Sequence, residues 1–124
     1  MKGSQTLKAG NIIQLVPDGR AFSIQENPVS IRGRRTYIQS GFARIALTAD
    51  APIIPLALTR RLDGGFHFTF FPPLLPRAGS ASMEETIADL VAQYAAFLER
   101  SWTSAPESVP WSKMDNYLKW PASD

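Results

Sequence analysis

The chain has 124 residues, 44% of them hydrophobic and 19% charged, a balance that belongs to folded globular proteins and fits one domain. With no cysteine and a single histidine, disulfides, thiolate catalysis and cysteine metal sites are excluded, and a histidine-based zinc site is implausible. The formal charge of +2 is too small an excess to argue for a nucleic-acid partner. Ten prolines predict short elements separated by abrupt turns, because proline fixes φ and removes a backbone donor.

The N-terminal segment Met1 to Lys8 is polar and lacks the apolar core of a signal peptide. No stretch approaches the roughly 20 apolar residues of a membrane-spanning helix. Asn11-Ile-Ile-Gln-Leu-Val16 is apolar, rich in β-branched residues and closed by Pro17-Asp18-Gly19, which predicts a buried strand ended by a turn. Arg20 to Asn27 is polar and reads as a loop. Pro28 to Arg32 alternates apolar and polar side chains before Gly33, predicting a short edge strand.

Gln39 to Asp50 places Phe42, Ile45, Ala46 and Ala49 at helical spacing, with Ser40 or Thr36 as candidate cap. Ala51-Pro52 ends that helix, since the residue before a proline is pushed out of helical geometry. Ile53 to Leu58 is a second apolar strand in which Pro55 requires an edge position or a bulge. Strand, helix and strand at this spacing predict a βαβ unit, with a parallel pair as the default. Asp63-Gly64-Gly65 then signals a hairpin, and Phe66 to Phe70 alternates as a strand. After the proline-rich connection Pro72 to Pro76, Ser82-Met-Glu-Glu85 is a capping box that opens the longest helix. Along it Met83, Ile87, Leu90, Tyr94 and Phe97 form an amphipathic stripe. The fold class expected is therefore α/β: a partial mixed sheet with a βαβ unit, a hairpin and a long C-terminal amphipathic helix.

Trp102, Trp111 and Trp120, with Tyr117, Lys113 and Lys119, occupy the tail; core packing is the plainer reading of the rings and a membrane interface the other. Arg20, Arg32, Arg34, Arg35 and Arg44 fall in one stretch, which reads either as a solvated basic face or as a site for an anionic headgroup.

Asp18 is a carboxylate at the end of a predicted strand, followed by a glycine that lets a ligand approach the backbone and by Arg20, which is suited to phosphate. Taken alone, Pro17-Asp18-Gly19 is also an ordinary turn. Its order with Ser40-Gly41, the following helix and Pro52-Ile53-Ile54-Pro55 resembles the lysophospholipid acyltransferase superfamily. There a Pro-Glu-Gly block closes a strand, a glycine opens a helix, and a Pro-Ile-(Val/Ile)-Pro block forms the next strand. Glu99, Pro106-Glu107 and Trp111 are similar to the bacterial lipid A acyltransferase branch. The likeness runs from Asn11 to Trp111.

The resemblance implies transfer of an acyl group from acyl-CoA or acyl carrier protein to a hydroxyl of a glycerol phosphate or lipid A precursor. The donor, the lipid acceptor and a membrane surface on the cytoplasmic side of the inner membrane are the expected partners. No cofactor and no nucleic acid are implied. Asp18, Gly19 and Arg20 take the acceptor-binding role. Asp18 stands where phospholipid-type members carry glutamate, and Ala21 stands where they carry an arginine. The family's catalytic His-x-x-x-x-Asp has no counterpart here, because the residue five after His67 is Pro72. No catalytic residue is assigned. The chain is expected to be a single partial domain over residues 1–124, the C-terminal half of an acyltransferase and inactive alone. The alternative is a non-enzymatic module that binds anionic lipid headgroups.

Overall fold

The computed structural model describes residues 2–17, 26–77, 79 and 82–106. The elements run α1 (Lys2–Lys8), β1 (Glu26–Ile31), β2 (Arg34–Gln39), α2 (Gly41–Ala49), β3 (Leu56–Arg60), β4 (Phe66–Phe70) and α3 (Met83–Ser104). β1 pairs antiparallel with β2, and β3 pairs antiparallel with β4, giving two separate two-stranded sheets.

α3 begins where its sequence says it should. The Ser82 side chain accepts a hydrogen bond from the Glu85 N–H at 3.2 Å, and Glu84 and Glu85 lie in the first turn, where the helix dipole favours them. Its apolar stripe packs across β1 and β2. Ile31 and Ile38 of the hairpin meet Ile87, Leu90 and Val91 of the helix, all about 1% exposed, with Phe97, Leu98 and Trp102 further along. Each such aliphatic side chain removed from water stabilises the fold by about 1.5–3 kcal/mol. α2 closes the core from one end with Phe42 and Ala43, the Phe42 ring lying 5.4 Å from Tyr94.

α2 ends at Asp50, whose φ of 51° is left-handed and whose N–H bonds back to the Ala46 and Leu47 carbonyls. The Ala51 N–H also reaches the Ala46 carbonyl at 2.9 Å, completing a closure that usually carries glycine. Ser40 is the N-cap residue of α2, but its side chain makes no capping bond; Thr36 lies buried on β2.

The α/β class, the hairpin at Asp63-Gly64-Gly65 and the long amphipathic helix are present. Three elements differ from expectation. Asn11–Val16 forms no strand, and Ile12 is 93% exposed, so among the described residues no parallel pair completes a βαβ unit. An apolar β-branched run becomes a strand only when another strand satisfies its backbone. The stretch after Gly33 instead forms β2, joined to β1 through Arg32 (φ 52°) and Gly33 (φ 77°), the doubly left-handed arrangement of a tight hairpin turn. The polar N-terminus forms α1, which packs on α2. There Gly3 permits a close approach, because a Cβ at that position would sit 3.1 Å from Ile45 Cδ1.

A bulge lies opposite the Pro55 segment. Phe71 N–H bonds the Pro55 carbonyl and Leu74 N–H bonds the Ile53 carbonyl, so the single residue Ile54 faces two, Pro72 and Pro73, and the extra residue is on the partner stretch.

Candidate functional site

Asp18 is expected to end a strand and, with Gly19 and Arg20, to hold the acceptor. Asp18, Gly19 and Arg20 lie outside the described residues. The residue before them, Pro17, is placed: its carbonyl accepts a hydrogen bond of 3.1 Å from the N–H of Gln39, the last residue of β2. The block therefore starts from a point two residues ahead of α2. Ser40, fully buried, and Gly41 follow at once, and the Ser40 carbonyl takes the N–H groups of Ala43 and Arg44 at 3.0 and 3.2 Å. Two of the three sequence blocks, Pro17 and Ser40-Gly41, are thus brought together by backbone.

The third block, Pro52 to Pro55, leaves the C-terminal end of the same helix. Pro55 is buried, Ile53 packs against the core, and Ile54 is exposed. It lies at the opposite end of α2 from Pro17. A helix of nine residues separates the two ends by about 13 Å at 1.5 Å per residue. An open groove of about 280 Å³ lies elsewhere, between β1 and α3, lined by Asn27 to Ser30, an alanine-rich face of α3 and Glu99. Neither Pro17 nor the Pro52 to Pro55 segment contributes to it.

The arginine-rich stretch is divided by the fold. Arg44 makes a two-pronged ion pair with Glu84 on the first turn of α3, 3.1 Å for each contact. That carboxylate occupies the fork which a phosphate would otherwise fill. Arg32 and Arg35 stand exposed at and after the β1–β2 turn. Glu99 accepts the Arg32 backbone N–H at 3.0 Å, so this acidic residue near the helix end fastens the strained turn to α3.

His67 is exposed on β4, and its carbonyl accepts the Thr59 hydroxyl at 3.5 Å. Among the described residues no group of three or more His, Cys, Asp or Glu side chains is placed to hold a metal ion, and no helix is long and apolar enough to cross a membrane. Trp102 is a core residue; Trp111, Tyr117 and Trp120 lie outside the described residues, as does Glu107.

Sequence reading missed a polar strap. Asp89 Oδ1 pairs with Arg77 Nε at 3.2 Å, and its Oδ2 accepts both the Arg77 backbone N–H and Gln93 Nε2. Gln93 Nε2 also donates to the Leu75 carbonyl at 2.7 Å. The proline-rich connection is thereby bound along α3. The available signal was Asp89 and Gln93 at i, i+4 on the helix, a spacing that puts both on one face.

Pro17 is tied by backbone to the residue pair that precedes α2, and the proline-flanked apolar segment leaves the other end of that helix. A sequence model of the bacterial lipid A biosynthesis acyltransferases matches residues 2–113, and the chain belongs to that family. Comparison with curated proteins and with solved structures returned no match.

Proposed function

We propose that this chain supplies the acceptor-binding part of an acyltransferase that moves an acyl group from acyl-CoA or acyl carrier protein to a hydroxyl of a glycerol phosphate or lipid A precursor. In that reading Asp18 grips the acceptor, Gly19 lets it approach the backbone, and Arg20 balances its phosphate. The work would be done at the cytoplasmic face of the inner membrane, with the chain held peripherally. The observation that carries the reading is the family match over residues 2–113, joined to the backbone tie that sets Pro17 beside Gln39 and Ser40.

The chemistry needs a base. The acceptor O–H gives its proton to an imidazole as the oxygen attacks the thioester carbonyl; the new C–O bond forms, the C–S bond breaks, and the thiol leaves with a proton. His67, on an exposed strand with Pro72 five residues on, is not that base. The reading places it in a His-x-x-x-x-Asp motif of upstream coding sequence, and translating that sequence in frame tests the point directly. In the active protein, Asp18→Asn should cut kcat/KM for the acceptor by at least about tenfold and leave donor KM within about twofold. Unchanged acceptor kinetics would remove Asp18 from the site.

The second reading, a non-enzymatic module for anionic headgroups, draws on Arg32 and Arg35, both exposed at the β1–β2 turn. It predicts salt-sensitive sedimentation of the chain with anionic vesicles, and no transfer activity in any longer form.

A further inference from the structure

The turn between β3 and β4 sets a carboxyl group beside a peptide that can react with it. Asp63-Gly64-Gly65 lies inside the pair Arg60 and Phe66, which closes the ladder. The Gly65 N–H donates to Asp63 Oδ1 at 3.1 Å, a bond that folds the Asp63 side chain back over the Gly64 peptide. Glycine at both following positions leaves room for this fold. A Cβ at Gly65 would lie 3.3 Å from Asp63 Oδ1, and one at Gly64 would meet nothing within 4 Å. Gly64 has a φ of 92°, which a side chain would strain, so its nitrogen carries no neighbouring bulk. The Asp63 side chain is 62% exposed, and water reaches it freely.

Both reacting groups are tied to one residue. Arg61 Nη2 pairs with Asp63 Oδ2 at 2.9 Å, and the Arg61 carbonyl accepts the Gly64 N–H at 3.1 Å. We infer that Asp63-Gly64 is a self-modification site that isomerises to isoaspartate, and that Arg61 restrains it.

In that step the Gly64 nitrogen gives up its proton and attacks Asp63 Cγ. The new C–N bond closes a five-membered succinimide, the Cγ–O bond breaks, and water leaves. Water then adds to either ring carbonyl. Addition at Cγ restores aspartate. Addition at the Asp63 main-chain carbonyl breaks its bond to the Gly64 nitrogen, so the chain now runs through Cβ and Cγ. One water leaves and one enters, and mass is unchanged. Ring closure needs an uncharged carboxyl and a released Gly64 N–H. The guanidinium favours the carboxylate and the Arg61 carbonyl occupies the N–H, so both contacts must open first. The product adds one carbon to the backbone of a turn closed by a 2.7 Å bond from Arg61 N–H to the Gly65 carbonyl, and so loosens the hairpin at its tip. The inference does not depend on the acyl-transfer reading.

The chain aged in warm neutral buffer is mapped by peptide, with an isoaspartate-specific carboxyl methyltransferase and labelled S-adenosylmethionine as the probe. Mapping separates residue 63 from the other Asp-Gly pair, Asp18-Gly19. Isoaspartate should accumulate at residue 63 and not at Asp50, where the attacking nitrogen belongs to Ala51 and carries a Cβ beside it. Arg61→Ala removes only the side-chain contact, since the carbonyl and N–H at 61 remain, and should raise the rate about twofold to fivefold, the range of an exposed ion pair. Arg61→Lys keeps a cation and should fall between. Urea opens both contacts and should raise the rate further. No isoaspartate at residue 63 in buffer or urea, a rate no greater than at Asp50, or a rate that Arg61→Ala leaves unchanged would each overturn the inference.

Discussion

The two hairpins have equal numbers of strands and opposite relations to water. In β1–β2, Ile31, Thr36 and Ile38 turn inward onto α3, and Arg32 and Arg35 stand outside. In β3–β4 the threonines sit on the side nearer the core and the phenylalanines stand outside. The second hairpin touches the core through a narrow base, with Ile53, Ala57 and Leu74 packed against the cluster and the Phe71 ring 5.1 Å from Phe97. The difference teaches that alternation reports which residues share a face, and not which face the molecule covers.

The sharpest way to test this contrast is one substitution made in both regions. Leu90→Ala, in the core, should cost about 2–5 kcal/mol. Leu58→Ala, 45% exposed, should cost under about 1 kcal/mol. Urea titrations at dilute protein give both numbers, and similar losses at the two sites would erase the distinction. A smaller effect concerns the strap that holds the proline-rich connection beside the second hairpin. Asp89→Ala removes the carboxylate that Arg77 and Gln93 share, while Gln93 keeps the Leu75 carbonyl, and should cost about 0.5–1.5 kcal/mol, read as a lowered unfolding midpoint. Smallest, and of opposite sign, Asp50→Gly should stabilise by about 0.5–1 kcal/mol because the left-handed cap no longer strains a Cβ; an unchanged melting temperature would deny that strain.

Where the sequence was legible, the signal was local and periodic. The face of α2, the stripe of α3 from Ile87 to Phe97, its Ser82 cap and the limits of β4 follow from residues three, four or two apart, and the structure places them there; Met83, expected to head the stripe, is 54% exposed. Pro55 signalled an irregular ladder, and the extra residue lies opposite it, at Pro72-Pro73. What escaped depends on partners distant in the chain. Asn11 to Val16 has the composition of a strand and, among the described residues, no strand to pair with. β2 was hidden by its paired arginines and by Thr36, a polar residue on the buried face. Arg44 was grouped with its basic neighbours, while its counter-charge Glu84 lies 40 residues on. Of the candidate site, the order of the three blocks was readable. That Pro17 is tied to Gln39, the neighbour of Ser40, while Pro52 to Pro55 lies at the far end of α2, required the fold.

The bond from Gln39 to Pro17 joins main-chain atoms on both sides. Side-chain identity at either position is therefore nearly irrelevant to it; only a proline at 39, which would delete the donor, cuts the link. The anchorage of Pro17 is in this sense written into chain geometry.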